Sequence, residues 1–182
     1  MPYEAPPELA SLNLVQIAEA VAARRLPPVE QWQPSETIDS LMRIDAAGHW
    51  HHDGRPLTRA AMVRAFSSLL LRDAAGQHWL MTPKCRQSIV VEDAAFVAVD
   101  LAVRDGALAF RLNTDELVLA GSDHPLRVSG DPDRPAVYLG VRHGCEARLD
   151  RSTWLQLADH ALTLDDDMHV SSNGTRFSLV PA

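Results

Sequence analysis

An α+β chain of two tandem units is the architecture this sequence predicts. Three observations point to it. Short alternating segments are bounded by glycine and proline turns, as in hairpins. Each half holds one amphipathic helix whose first turn carries an arginine, Arg59 and Arg151. One order of features also occurs twice. Gly76–Pro83 (GQHWLMTP) aligns with Gly174–Pro181 (GTRFSLVP), and Leu57-Thr58-Arg59 with Leu149-Asp150-Arg151. The alignment predicts a duplicated helix–strand core, with a first unit over residues 1–93 and a second, richer in antiparallel strands, over 94–182.

Residues 1–7 carry three prolines and read as a loose arm. Leu14, Ile17, Ala18 and Val21 fall at helical spacing, which predicts a helix over Glu8–Arg25 that Pro27-Pro28 stops. Val29–Pro34 is then an extended linker whose Trp32 either docks on the core or anchors a partner. Ala46-Ala47-Gly48 joins Leu41–Asp45 to His49–His51 as a hairpin, and Asp53-Gly54 is a second turn. Thr58 is the expected N-cap of a helix over Arg59–Arg72 that buries Met62, Val63, Phe66, Leu69 and Leu70.

Trp79–Phe96 (WLMTPKCRQSIVVEDAAF) follows. It contains a strand closed by Pro83, a basic turn at Lys84 and Arg86, a β-branched strand at Ile89–Val91, and an acidic corner at Glu92-Asp93. In the second half, Arg104-Asp105-Gly106 joins strands Val97–Val103 and Ala107–Leu112. Glu116–Leu119 and Leu126–Val128 are short strands, Asp131–Pro135 a polar loop, and Ala136–Arg142 and Glu146–Leu149 strands around Gly144. Asp150 caps a helix over Arg151–Leu162, Thr163–Met168 is an acidic loop, and Asn173-Gly174 turns into a last strand, Arg176–Val180.

Composition narrows the function. The 182 residues are 46% hydrophobic and 23% charged, as in a globular protein. A net charge of −7 argues against a nucleic-acid partner, which needs a basic face. The apolar runs are too short for a membrane span, and MPYEAPPELAS lacks the basic and apolar regions of an export signal. Cys85 and Cys145 form no C-x-x-C pair and read as free thiols in a reducing cytoplasm.

LPPVEQWQP at Leu26–Pro34, G-x-W-x-x-x-G-x-P-L at Gly48–Leu57, Thr82-Pro83, VEDAAF at Val91–Phe96, HPL at His124–Leu126 and R-x-G-x-E-A-R at Arg142–Arg148 are scattered motifs in a fixed order. Together they resemble a bacterial domain-of-unknown-function family, number 1285, over nearly the whole chain from Leu9. Two positions depart from that pattern: Ala95 stands where proline is expected, and Cys85 where glutamate is. The resemblance implies a two-part α+β fold with a duplicated core whose second part is similar to a pleckstrin-homology-like barrel. It also implies a ligand site at the surface between the parts, for a nucleotide-based molecule among the candidates, and a role in signalling. It brings no catalytic residues.

Several constellations invite chemistry. His49, His51, His52 and Asp53 suggest a metal, but a third and fourth ligand at suitable spacing are missing, so no metal is expected. His143 and Cys145, two apart, suggest a thiolate–imidazole pair without an orienting third group. Asp165-Asp166-Asp167 lacks the spacing of a calcium loop. No phosphate-binding loop, dinucleotide fingerprint, nucleophile elbow or zinc-protease motif is present, so no catalytic residue, enzymatic activity or cofactor is expected.

Arginine offers planar donors matched to phosphate and carboxylate. Arg151 opens a helix, where the dipole disfavours a cation unless an anion is held there too. The expected site comprises Arg86, Glu92, Asp93, His124, Arg142, Arg148 and Arg151, taking a small anionic molecule between the units. The bland alternative is structural ion pairing with Glu92, Asp93 or Glu146. The expected function is a non-catalytic cytoplasmic ligand-sensing module with a role in signalling. The alternative is a protein-interaction adaptor that uses the pleckstrin-homology-like half, with a protein partner and neither nucleic acid nor membrane.

Overall fold

The computed structural model describes residues 7–182; most of the proline-rich arm lies outside them. The chain is mixed α+β, with two six-stranded sheets, a separate two-stranded hairpin and three α-helices among the described residues. By internal contacts, Arg25–Phe96 with Arg142–Glu146 form a first compact unit. Val97–Val141 and Ala147–Ala182, with the described residues up to Arg24, form a second.

Helix α1 (Leu14–Ala23) is shorter than the expected Glu8–Arg25, with a separate 3-10 turn at Leu9–Ser11. Asn13 is the reason. Its side chain accepts the Gln16 N–H, and the Gln16 side chain accepts the Asn13 N–H, a reciprocal box that fixes where the helix starts. Ile17 is its one buried residue, clustered with Leu9, Ala102 and Ala109 and with Leu12, Leu117 and Leu119 alongside. α1 therefore belongs to the second unit, although a division at 93/94 counts it in the first.

The first unit's sheet contains β1 (Glu36–Ile44), β2 (Trp50–His52), β3 (Arg55–Pro56), β4 (Leu70–Arg72), β5 (His78–Met81) and β6 (Cys85–Val91). Their order across the sheet is 3-2-1-6-5-4, with β1 parallel to β6 and the other neighbours antiparallel. Ile44, Trp50, Leu70, Leu80, Met81 and Ile89 are its buried apolar side chains, and Ser40 is buried beside them. Helix α2 (Ala60–Ser67) lies between β3 and β4 and is shorter than the sequence pattern suggests. Arg59 takes the N-cap position without a side-chain bond, and the leucines after Ser68 leave the helix to pair Leu70 with Leu80.

The second unit's sheet contains β7 (Phe96–Arg104), β8 (Ala107–Leu112), β9 (Leu117–Leu119), β10 (Leu126–Asp131), β11 (Arg134–Arg142) and β12 (Cys145–Leu149). Helix α3 (Arg151–Leu164) and the hairpin β13 (His169–Ser172)–β14 (Thr175–Ser178) follow. Neither six-stranded sheet closes into a barrel, although a barrel is what the resemblance implies for the second part. Asp131–Pro135 is not a loop: β10 and β11 continue through it to the pairs Gly130↔Pro135 and Asp131↔Arg134.

The order of the second sheet, read from β9 to β10, is again third, second, first, sixth, fifth, fourth. Each first strand has nine residues and a register break, between Asp39 and Met42 in β1 and between Ala98 and Asp100 in β7. The duplication thus aligns β1–β6 with β7–β12. The sequence alignment had a different register. Gly76 and Gly174 do both turn a hairpin after a helix at positive φ, but β5 is inside a six-stranded sheet and β14 in its own hairpin.

Candidate functional site

The two ends of the β11–β12 hairpin have different fates. At its turn, Arg142, His143 and Cys145 join the first unit. The Arg142 guanidinium lies 4.9 Å from the Phe96 ring centroid, and Nη2 donates to the Ser67 carbonyl at 3.0 Å. His143 Nδ1 is 2.9 Å from Glu30 Oε1. Cys145 is buried, which pushes its thiol up to about 12, so it is a neutral packing group at neutral pH. That burial removes the thiolate–imidazole reading.

At the other end, in the second unit, the same two strands and the start of α3 enclose a pocket of about 490 Å³. Arg134 enters from β11, Arg148 from β12 and Arg151 from the first turn of α3. Pro135, Trp154 and Leu155 supply apolar wall, and Asp133 is the one carboxylate in the lining. Asp150 accepts the Thr153 N–H at 2.8 Å, which sets where α3 begins and so where Arg151 sits. Arg148 is held by Tyr138: Nη1 donates to the phenol oxygen at 3.3 Å, with the guanidinium 5.3 Å from the ring centroid. Arg127 lies 4.3 Å over the same ring. An aromatic ring in contact with two guanidinium groups suits them and limits their rotamers. Three guanidiniums against one carboxylate make the pocket a basic spot on an acidic chain.

Of the residues expected at the site, Arg148 and Arg151 meet in this pocket. The others lie elsewhere. Arg86 covers the Trp79 ring at 4.5 Å and donates to Thr37 Oγ1 at 2.9 Å. Glu92 accepts from Arg43 and from the Ala46 N–H. Asp93 is half-buried in the first unit, and His124 Nδ1 pairs with the Gly140 carbonyl at 3.0 Å. Arg134 is the residue sequence reasoning missed. The run Asp-Pro-Asp-Arg-Pro reads as loop, and only the pairing of β10 with β11 turns Arg134 into a placed side chain.

No group of three or more His, Cys, Asp and Glu side chains that could hold a metal exists among the described residues. His51 and His49 instead share one carboxylate, Asp45, at 3.0 and 3.4 Å. Asp45 also accepts the N–H groups of Ala47 and His49. The His51 hydrogen bond leads these in bringing its carboxyl down to about 2, against the opposing pull of burial. A carboxyl depressed below its ordinary 3.8 contributes stability that is present above pH 3.8 and lost as pH falls through about 2. Asp45→Asn should cost about 1–2 kcal/mol at pH 7, allowing for partial exposure. The deficit relative to wild type should shrink between pH 4 and 2, as measured by urea unfolding at each pH.

The fold is that of a two-unit α+β protein with an arginine-lined pocket in its second unit. The chain belongs to the DUF1285 family. Residues 27–94 match the family's N-terminal domain, "Domain of unknown function (DUF1285), N-terminal domain", and residues 95–179 match "Protein of unknown function (DUF1285), C-terminal domain". The chain is 36% identical to a DUF1285 family protein from Silicibacter pomeroyi DSS-3 whose crystal structure is known. The match has a TM-score of 0.78 and covers 94% of this chain and 97% of that one. A DUF1285 family protein from Shewanella baltica OS155 shares the fold at 24% identity and a TM-score of 0.55, over 66% of this chain and 91% of that one. No curated protein matches the sequence. Among the described residues no helix is long and apolar enough to cross a membrane.

Proposed function

We propose that this protein is a non-catalytic sensing module whose second unit binds a small anionic molecule, with a nucleotide among the candidates, and that it acts in signalling. The observation that carries the reading is the convergence of Arg134, Arg148 and Arg151 on one 490 Å³ pocket, in a chain whose net charge is −7. The Arg148 guanidinium, held by the Tyr138 ring and hydroxyl, is ordered before the ligand arrives, which lowers the cost of binding. Pro135, Trp154 and Leu155 would cover the less polar part of the ligand. Where the sequence suggested a site between the units, this reading confines it to the second. We read that unit as pleckstrin-homology-like because its antiparallel strands are followed by a closing helix, α3. Free Cys85 and Cys145 support a cytoplasmic location.

A thermal-shift panel of pyrophosphate, adenosine monophosphate and citrate on the intact chain tests the proposal. At about 100 times its dissociation constant, a ligand adds about 2.7 kcal/mol. For a chain of this size that raises Tm by about 5–11 °C. Arg148→Ala and Arg151→Ala should abolish the shift while leaving the unliganded protein folded, and Arg86→Ala should preserve it. A panel without any shift, or equal shifts in all three variants, would overturn the pocket assignment.

A further inference from the structure

Helix α2 breaks the usual pattern of a surface helix. Ala61, Met62 and Ala65 share its outward arc and are exposed, Met62 at 37%. Polar residues normally occupy such an arc, and a helix that is apolar on more than one side is normally covered. Within α2 only Ser67 is buried. Phe66 faces inward, stacked on Trp50 at 6.4 Å between ring centroids.

The charge around α2 is equally uneven. Residues 55–72 contain Arg55, Arg59, Arg64 and Arg72 and no carboxylate. The chain has 17 cations and 24 carboxylates, so the remaining residues hold 13 and 24, a net charge of −11. An uncovered apolar helix face in a segment that has four arginines and no carboxylate, on a chain whose remaining residues are net acidic, is complementary to an acidic amphipathic surface. Anionic lipid is one such surface, but the geometry favours a protein. Lipid insertion uses long aromatic and leucine side chains, and here the one aromatic residue of α2 is turned inward. Ala61 and Ala65, one turn apart, instead leave room for another backbone to come close.

We propose that α2 is a docking face for an acidic amphipathic helix of a partner protein, which packs along Ala61, Met62 and Ala65 and pairs with Arg55 and Arg59. A helix of eight residues is about 12 Å long, so the contact belongs with small, transient interfaces. It is separate from the arginine pocket and stands if that pocket proves structural.

The test selects displayed helical peptides, randomised over one face, on the immobilised intact chain. Expected winners carry Asp and Glu flanking an apolar stripe, and bind about tenfold more weakly in 500 mM than in 50 mM NaCl. Ala61→Glu, an exposed position that leaves the fold intact, should weaken binding about tenfold or more. Arg59→Glu should do likewise and regain affinity for a peptide whose facing Glu is changed to Lys. Winners without acidic bias, or with undiminished affinity for Ala61→Glu, would overturn the proposal. So would binding to phosphatidylserine vesicles that Ala61→Glu abolishes, which would make the occupant a lipid surface. Self-association of the wild type that this variant abolishes would make it a second copy, with the same consequence.

Discussion

Gly144→Ala should destabilise the first unit by about 2–5 kcal/mol. Two costs add. Gly144 has φ +75°, a left-handed conformation worth about 1–2 kcal/mol to a residue with a Cβ. That Cβ would also stand 2.6 Å from the carbonyl oxygen of Arg72. The oxygen belongs to the backbone of β4 and has no rotamer to move to, so either strand or turn must shift, at about 1–3 kcal/mol. The shift would also strain the neighbouring bond from the Arg72 N–H to the His143 carbonyl, 2.8 Å long. Gly54→Ala is the matched control: the same φ of +75° in the same unit, with nothing within 4 Å of the new Cβ. It should cost only about 1 kcal/mol, since alanine also restricts the unfolded chain. Fragment-resolved hydrogen exchange reads each unit's stability separately. Equal losses in the two variants would mean that the approach of Arg72 to Gly144 is not a tight one.

Arg24→Ala should cost the second unit about 3 kcal/mol. Arg24 Nη2 lies 2.9 Å from Glu116 Oε1, with side-chain exposures of 16% and 6%. Thr114 Oγ1 donates to the same oxygen at 3.3 Å. Removing the guanidinium leaves a carboxylate largely cut off from water and without this cation, and the cost is mostly that of the under-compensated charge. Arg24→Met combined with Glu116→Gln should therefore be milder than Arg24→Ala alone. Arg176→Ala provides the contrast. Its 2.7 Å pair with Asp166 is about half exposed at both ends, and its loss should change stability by less than about 0.5 kcal/mol. Should the double variant be no milder than Arg24→Ala, the loss is one of packing rather than charge.

What the sequence made legible was local. Asp150 caps α3, and Asp105-Gly106 and Asn173-Gly174 turn their hairpins at positive φ, because turn and cap chemistry acts over a few residues. The end of α2 was not legible. Leu69-Leu70-Leu71 fits helical and strand periods alike, and its partner strand, β5, lies beyond the turn at Gly76. The place of α1 was not legible either, since an apolar stripe does not say which surface it will cover. For the site, arginine chemistry picked out Arg148 and Arg151, but it could not separate them from Arg86 and Arg142, which stack on Trp79 and Phe96. That separation depends on strand register.

The shared strand order has a consequence for synthesis. In each sheet the first strand and the sixth are neighbours at the centre, with the remaining strands added outward on both sides. A ribosome releases β1 well before β6, so the nascent chain holds two half-sheets, each with an open inner edge, until the last strand emerges. Such edges pair readily with other chains. The problem recurs for β7 and β12. Conditions that slow elongation between the first and sixth strand of either sheet should raise the aggregated fraction of the newly made protein more than pauses placed after β12.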